Sequence, residues 1–103
     1  MDFKDYKGVW VFIEEKDGEI PSVSLELLGA GRKLADKRGT ELVGILIGHN
    51  VKNLATPIFE YGADKVYLYD QPIFENYRTE SFMKALLECS NKYKPESILF
   101  GAT

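Results

Sequence analysis

The residues in this chain with the types to do chemistry are few and scattered. Glu14-Glu15-Lys16-Asp17-Gly18-Glu19 gathers carboxylates into one short stretch. Clustered oxygens suit a hard cation, but the spacing fits no calcium loop and Asp-Gly is a common turn pair, so a solvated turn is expected. His49, in Gly48-His49-Asn50, is the one histidine. Its ordinary pKa lies near neutrality, as a general base needs, yet no second histidine or nucleophile stands near it in sequence. It reads as a polar loop residue, with Asn50 shaping the turn. Cys89, the single cysteine, falls one step from an apolar helical face in the C-terminal half of its helix. The helix dipole disfavours a thiolate there, so a packing role is expected. Gly29-Ala30-Gly31 has the look of a phosphate loop but sits in the middle of a helical pattern rather than directly after a strand, so close helix-to-sheet packing is the better reading. Tyr61, Tyr67, Tyr69, Tyr77 and Tyr93 are expected at the rim of the core. No catalytic, cofactor-binding or metal-binding residue is assigned.

The elements that position these residues follow from hydrophobic spacing. Val9–Ile13, Leu42–Ile47, Val66–Tyr69 and Ile98–Phe100 are short apolar runs rich in β-branched and aromatic residues. Their near-continuous apolarity predicts strands buried on both faces. Ser22–Arg38 places Leu27, Leu28, Gly31, Leu34 and Ala35 at helical spacing, with Gly39 as the stop. A shorter helix is expected over Lys52–Tyr61, with Pro57 in its first turn or at a kink and Gly62 after it. Thr79–Tyr93 sets Phe82, Met83, Leu86, Leu87 and Tyr93 against Glu80, Lys84, Glu88 and Lys92. Glu80 with Lys84 and Glu88 with Lys92 have the i,i+4 order that favours pairing. Pro95 prevents continuation.

The resulting βαβαβαβ order predicts one α/β domain over residues 1–103: an open parallel sheet with helices on both faces, Rossmann-like, in strand order 3-2-1-4. Its switch point lies between the first and fourth strands. The chain stops just after the fourth, so the fold is expected to be incomplete at that edge. Apolar strand edges tend to pair, which predicts self-association.

Composition narrows the function further. At 45% hydrophobic and 28% charged residues the chain has the balance of a folded protein rather than a disordered one. A net charge of -3 argues against nucleic acid, whose binding rests on Lys and Arg at the phosphates. Met1–Gly8 mixes acids and bases, unlike a secretory leader, and no run reaches the length of a membrane span. A lone thiol suits a reducing compartment, so the cytoplasm is expected.

Particular strings carry more than periodicity. Val9 to Glu14 with Gly18 soon after, Ser24-Leu25-Glu26-Leu27-Leu28 leading to Arg32-Lys33-Leu34-Ala35, Gly62-Ala63-Asp64-Lys65-Val66-Tyr67, and Lys94-Pro95-Glu96-Ser97-Ile98-Leu99-Phe100-Gly101-Ala102-Thr103 stand in an order and spacing that resembles the N-terminal domain of the electron-transfer flavoprotein α subunit. The resemblance covers the whole chain. It implies a fold like that of the adenine nucleotide α-hydrolases and a scaffold and subunit-interface role in a heterodimer that shuttles electrons from dehydrogenases. It further implies that FAD sits in the C-terminal domain of the intact α subunit and that the β subunit holds AMP or a second FAD, with no cofactor on this stretch. An adenine-nucleotide module of the universal-stress-protein type shares the strand order but needs a glycine-rich phosphate loop, which this sequence lacks. A small hydrolase would need a Ser or Cys with a positioned base.

Overall fold

The computed structural model describes residues 6–75 and 79–101. Strand β1 (Val9–Ile13) leads to helix α1 (Ser22–Arg38), β2 (Leu42–Gly48), a 3-10 turn (Lys52–Leu54) running into α2 (Ala55–Glu60), and β3 (Lys65–Asp70). A second 3-10 turn (Pro72–Phe74), α3 (Thr79–Tyr93) and β4 (Ser97–Leu99) follow. The four strands form one all-parallel sheet in the order β3-β2-β1-β4, as the alternation of elements predicts. Val9 pairs with Leu42 on one side and Ser97 on the other, so β1 is the central seam.

Side chains alternate between two cores. Val9, Val11, Ile13, Leu42 and Leu46 pack with Leu28 and Ala35 of α1 and with Leu54 and Ile58 of the α2 region. On the opposite face Trp10, Phe12, Val43, Ile45 and Ile47 pack against Phe82, Ala85, Leu86 and Cys89 of α3. Every residue of β1 and β2 is buried, as expected for strands covered by helices on both faces.

The outer strands depart from that expectation. β3 is half exposed along its length and β4 is partly buried, because each lies at an edge where helical cover runs out. Tyrosine suits the β3 position, since an apolar ring can face the core while its hydroxyl stays wet. The fourth strand also sits one residue earlier than predicted, leaving Phe100 beyond it and 53% exposed.

Helix boundaries follow local chemistry. Gly39 takes φ 65 and closes α1, a left-handed conformation that glycine adopts without strain. Pro57 falls in the first turn of α2, where its missing N–H leaves no bond unmade. On α3 the predicted face is too broad. Phe82, Ala85, Leu86 and Cys89 are buried, whereas Met83 and Leu87 are exposed, because the sheet covers only one narrow stripe of the helix. Neither Glu80–Lys84 nor Glu88–Lys92 is among the ion pairs of the described residues, and the Lys92 ammonium lies 5.2 Å from the centre of the Tyr93 ring instead.

Candidate site at the carboxyl edge of the sheet

Ligands of open parallel sheets sit outside the carboxyl ends of the strands, at the switch point, which here lies between β1 and β4. The connection leaving β1 is a tight hairpin. Lys16 and Glu19 exchange backbone hydrogen bonds of 2.9 and 3.0 Å, while Asp17 and Gly18 turn the chain with φ 53 and 80. Glu15 is committed to this turn, its Oε1 accepting the Gly18 N–H at 2.6 Å. The predicted turn is therefore present. The chain then enters α1 through Ile20 and Pro21, with no side-chain cap. A nucleotide phosphate would meet Glu14, Glu15, Asp17 and Glu19 where a phosphate-binding fold offers glycine N–H groups, so these residues do not fit it.

The Gly29-Ala30-Gly31 string divides in two. A Cβ on Gly31 would lie 2.8 Å from Leu42 Cδ1 and 3.0 Å from Val11 Cγ2, so this glycine lets α1 lie close on the sheet. Gly29 faces open space and has no such role. A second close approach, missed in the sequence, is at Gly44, where a Cβ would lie 2.7 Å from Ile58 Cγ2.

At the end of β2, Asn50 adopts φ 57, which confirms its part in the turn. The carboxylate of Asp70, at the end of neighbouring β3, accepts the Asn50 N–H at 2.7 Å and the Val51 N–H at 3.1 Å. His49 is half-buried beside this turn, with a buried Nδ1 that has no hydrogen-bond partner. Among the described residues no group of three His, Cys, Asp or Glu side chains is placed to hold a metal ion.

Cys89 is fully buried, as its packing role requires. Burial pushes its thiol up, against the lowering effect of a hydrogen bond with Tyr69. Burial also pushes the Tyr69 phenol up to about 12, helped by Cys89. Tyr67 stacks on Tyr93 with ring centroids 4.3 Å apart, and Tyr61 stands half-exposed on the surface. Tyr77 lies outside the described residues. A half-open groove of about 250 Å³ runs between the end of β3 and α3, with Phe74 and Ala85 among its lining residues and Lys84 and Glu88 alongside.

A polar cluster lies at the other, amino edge. Asp64 Oδ2 accepts the Leu42 N–H at 2.9 Å and an Arg32 guanidinium N–H at 3.0 Å, and the same guanidinium nitrogen donates to the Gly62 carbonyl at 2.8 Å. Arg32 also pairs with Asp36 along α1, and Lys65 with Glu41. The Leu42 N–H holds the Asp64 carboxyl below its usual range against the raising effect of burial, and Arg32 and Lys65 lower it further. This clasp ties α1 to the starts of β2 and β3. Its signal in the sequence was the Gly62-Ala63-Asp64-Lys65 string, whose partners only the fold identifies.

Comparison with known proteins matches these elements to one family. The chain is 50% identical over 99 residues to an electron transfer flavoprotein subunit alpha of Thermoanaerobacterium thermosaccharolyticum, covering 96% of this chain and 30% of that protein. It is 49% identical over 104 residues to Protein FixB of Azorhizobium caulinodans, covering 98% of the chain and 28% of the relative. It is 44% identical over 102 residues to an acryloyl-CoA reductase electron transfer subunit beta of Anaerotignum propionicum, covering 99% and 28%. The chain thus spans under a third of the length of these relatives. With the model of the electron transfer flavoprotein domain matching residues 9–103, from the first residue of β1 onward, the chain belongs to that family.

Proposed function

We propose that this chain is the N-terminal portion of an electron transfer flavoprotein α-type subunit, one α/β domain that serves as scaffold and subunit interface. It takes part in electron transfer from dehydrogenases only within the heterodimer with a β-type subunit, in the cytoplasm. The observation that carries this reading is the family match from residue 9 to residue 103 onto relatives named as electron-transfer subunits. In this reading the flavin is held by the C-terminal part of the α subunit, and AMP or a second FAD by the β partner. The acidic hairpin after β1 supports that division, since it offers carboxylates where a phosphate would need donors. No redox step is assigned to a residue of the switch point. In the described residues no helix is long and apolar enough to cross a membrane.

The test has two arms. Purified chain is denatured and filtered, and the filtrate is examined by mass spectrometry for nucleotide and flavin. The native chain is separately mixed with the β subunit and followed by sedimentation velocity. An empty filtrate with co-sedimentation supports the proposal. Released AMP or ATP would favour a stand-alone nucleotide module, and stoichiometric FAD would overturn the division of cofactors.

A further inference from the structure

We propose that Trp10, Tyr67 and Tyr93 form a one-electron relay that carries oxidising equivalents from the buried centre of the sheet to the protein surface. Trp10, on central strand β1, is 1% exposed and is the only tryptophan of the chain. Its ring meets that of Tyr67, two strands away on β3, edge to face with centroids 5.4 Å apart. Tyr67 in turn stacks on Tyr93 of α3 with centroids 4.3 Å apart and planes inclined by 22°. Tyr93 is 43% exposed. Three readily oxidised rings therefore run in contact from interior to solvent. The branch from Phe12 to Phe82 and Phe100 consists of phenyl rings, which are far harder to oxidise.

The chemistry balances without a bound cofactor. A strong one-electron oxidant of the radical class takes one electron from the Trp10 indole and is itself reduced, leaving the indole radical cation. Tyr67 returns an electron to the indole and loses its phenolic proton to water, becoming a neutral phenoxyl. Tyr93 then supplies an electron to the Tyr67 phenoxyl, which takes its proton back from water, while Tyr93 releases its own phenolic proton to solvent and becomes the phenoxyl. The Lys92 ammonium over the Tyr93 ring opposes a build-up of positive charge there, so the proton must leave with the electron, which the exposure of Tyr93 allows. The outcome is a radical at the surface, where a soluble reductant can quench it, rather than in the core. The relay rests on the rings alone and stands or falls independently of the subunit assignment.

A single tryptophan makes the test selective. Trp10 is photoionised by a laser pulse at the red edge of indole absorption, with a cobalt(III) ammine complex present to capture the ejected electron and be reduced to cobalt(II). Transient absorption then follows the tryptophanyl and phenoxyl bands. In the unsubstituted chain the tryptophanyl band should decay as the phenoxyl band grows, and ascorbate should quench the phenoxyl. Tyr67→Phe keeps the ring shape but removes the phenol, and should abolish phenoxyl growth while the tryptophanyl radical persists. Tyr93→Phe should keep the growth but lose the rapid quenching by ascorbate. Circular dichroism verifies that both variants fold, and the phenyl rings preserve packing, so a purely structural role would leave the transients unchanged. Phenoxyl growth in Tyr67→Phe equal to that of the unsubstituted chain would overturn the relay.

Discussion

Single atoms decide several positions whose residue types look alike. Gly29 and Gly31 are two residues apart on one helix, yet a methyl group on the first meets nothing while on the second it meets Leu42 and Val11. Gly29→Ala should therefore raise stability by about 0.5–1 kcal/mol, the usual gain when a helical glycine becomes alanine. Gly44→Ala should lower it by about 1–3 kcal/mol through overpacking against Ile58, whose branched Cβ leaves little room to turn aside. Urea-unfolding midpoints of the two variants should move in opposite directions. Asp64 offers a test in pH. Its folded carboxyl titrates below the ordinary 3.8, so its contribution to stability is complete above that value and is lost as pH falls through the lower folded one. Asp64→Asn should flatten the stability curve in that acid window, and at neutral pH should cost about 0.5–1 kcal/mol, because the pair with Arg32 is half-exposed and screened. The sequence showed the role of Gly31 and the turn at Asn50, which depend on local spacing. It did not show Asp64 or Asp70, because a carboxylate looks the same whether it faces water or holds the N–H groups of another strand.

Elements were legible where one rule dominates and less so where neighbours share the decision. The central strands and α1 begin as their apolar runs require and end within one residue of them, because burial on both faces leaves one consistent register. The face of α3 was read too widely, since five apolar residues at helical spacing do not reveal how much of the helix the sheet covers. Leu86→Ala should cost about 2–5 kcal/mol, as for a buried leucine with little room to collapse. Leu87→Glu, on the exposed flank of the same helix, should change stability by no more than about 0.5 kcal/mol. Thermal denaturation of the pair would show whether α3 presents one stripe to the sheet. The turn after β2 makes a sharper demand, since Asn50→Val places a β-branched residue at φ 57 and should lose about 1–2 kcal/mol.

At the scale of the whole molecule, the sheet is fully covered at its centre and thinly covered at both margins. Along the outer side of β4 the described residues supply no further strand, and Phe100 stands exposed beside it. The 103-residue chain should therefore self-associate, its mass by light scattering rising with concentration, and a monomer mass constant over the accessible range would refute this. Strand order and layer arrangement were readable because alternating elements leave few topologies open. The site was less readable, because the expected crevice carries a hairpin committed to its own turn and the polar organisation lies at the opposite edge. That opposite edge also supplies a spectroscopic handle. The Leu42 amide proton points directly at the Asp64 carboxylate from the first residue of a fully buried strand. Its NMR resonance should shift with the ionisation of that one carboxyl group, so a single peak would report, during any titration or partner binding, whether α1 is still fastened to the sheet.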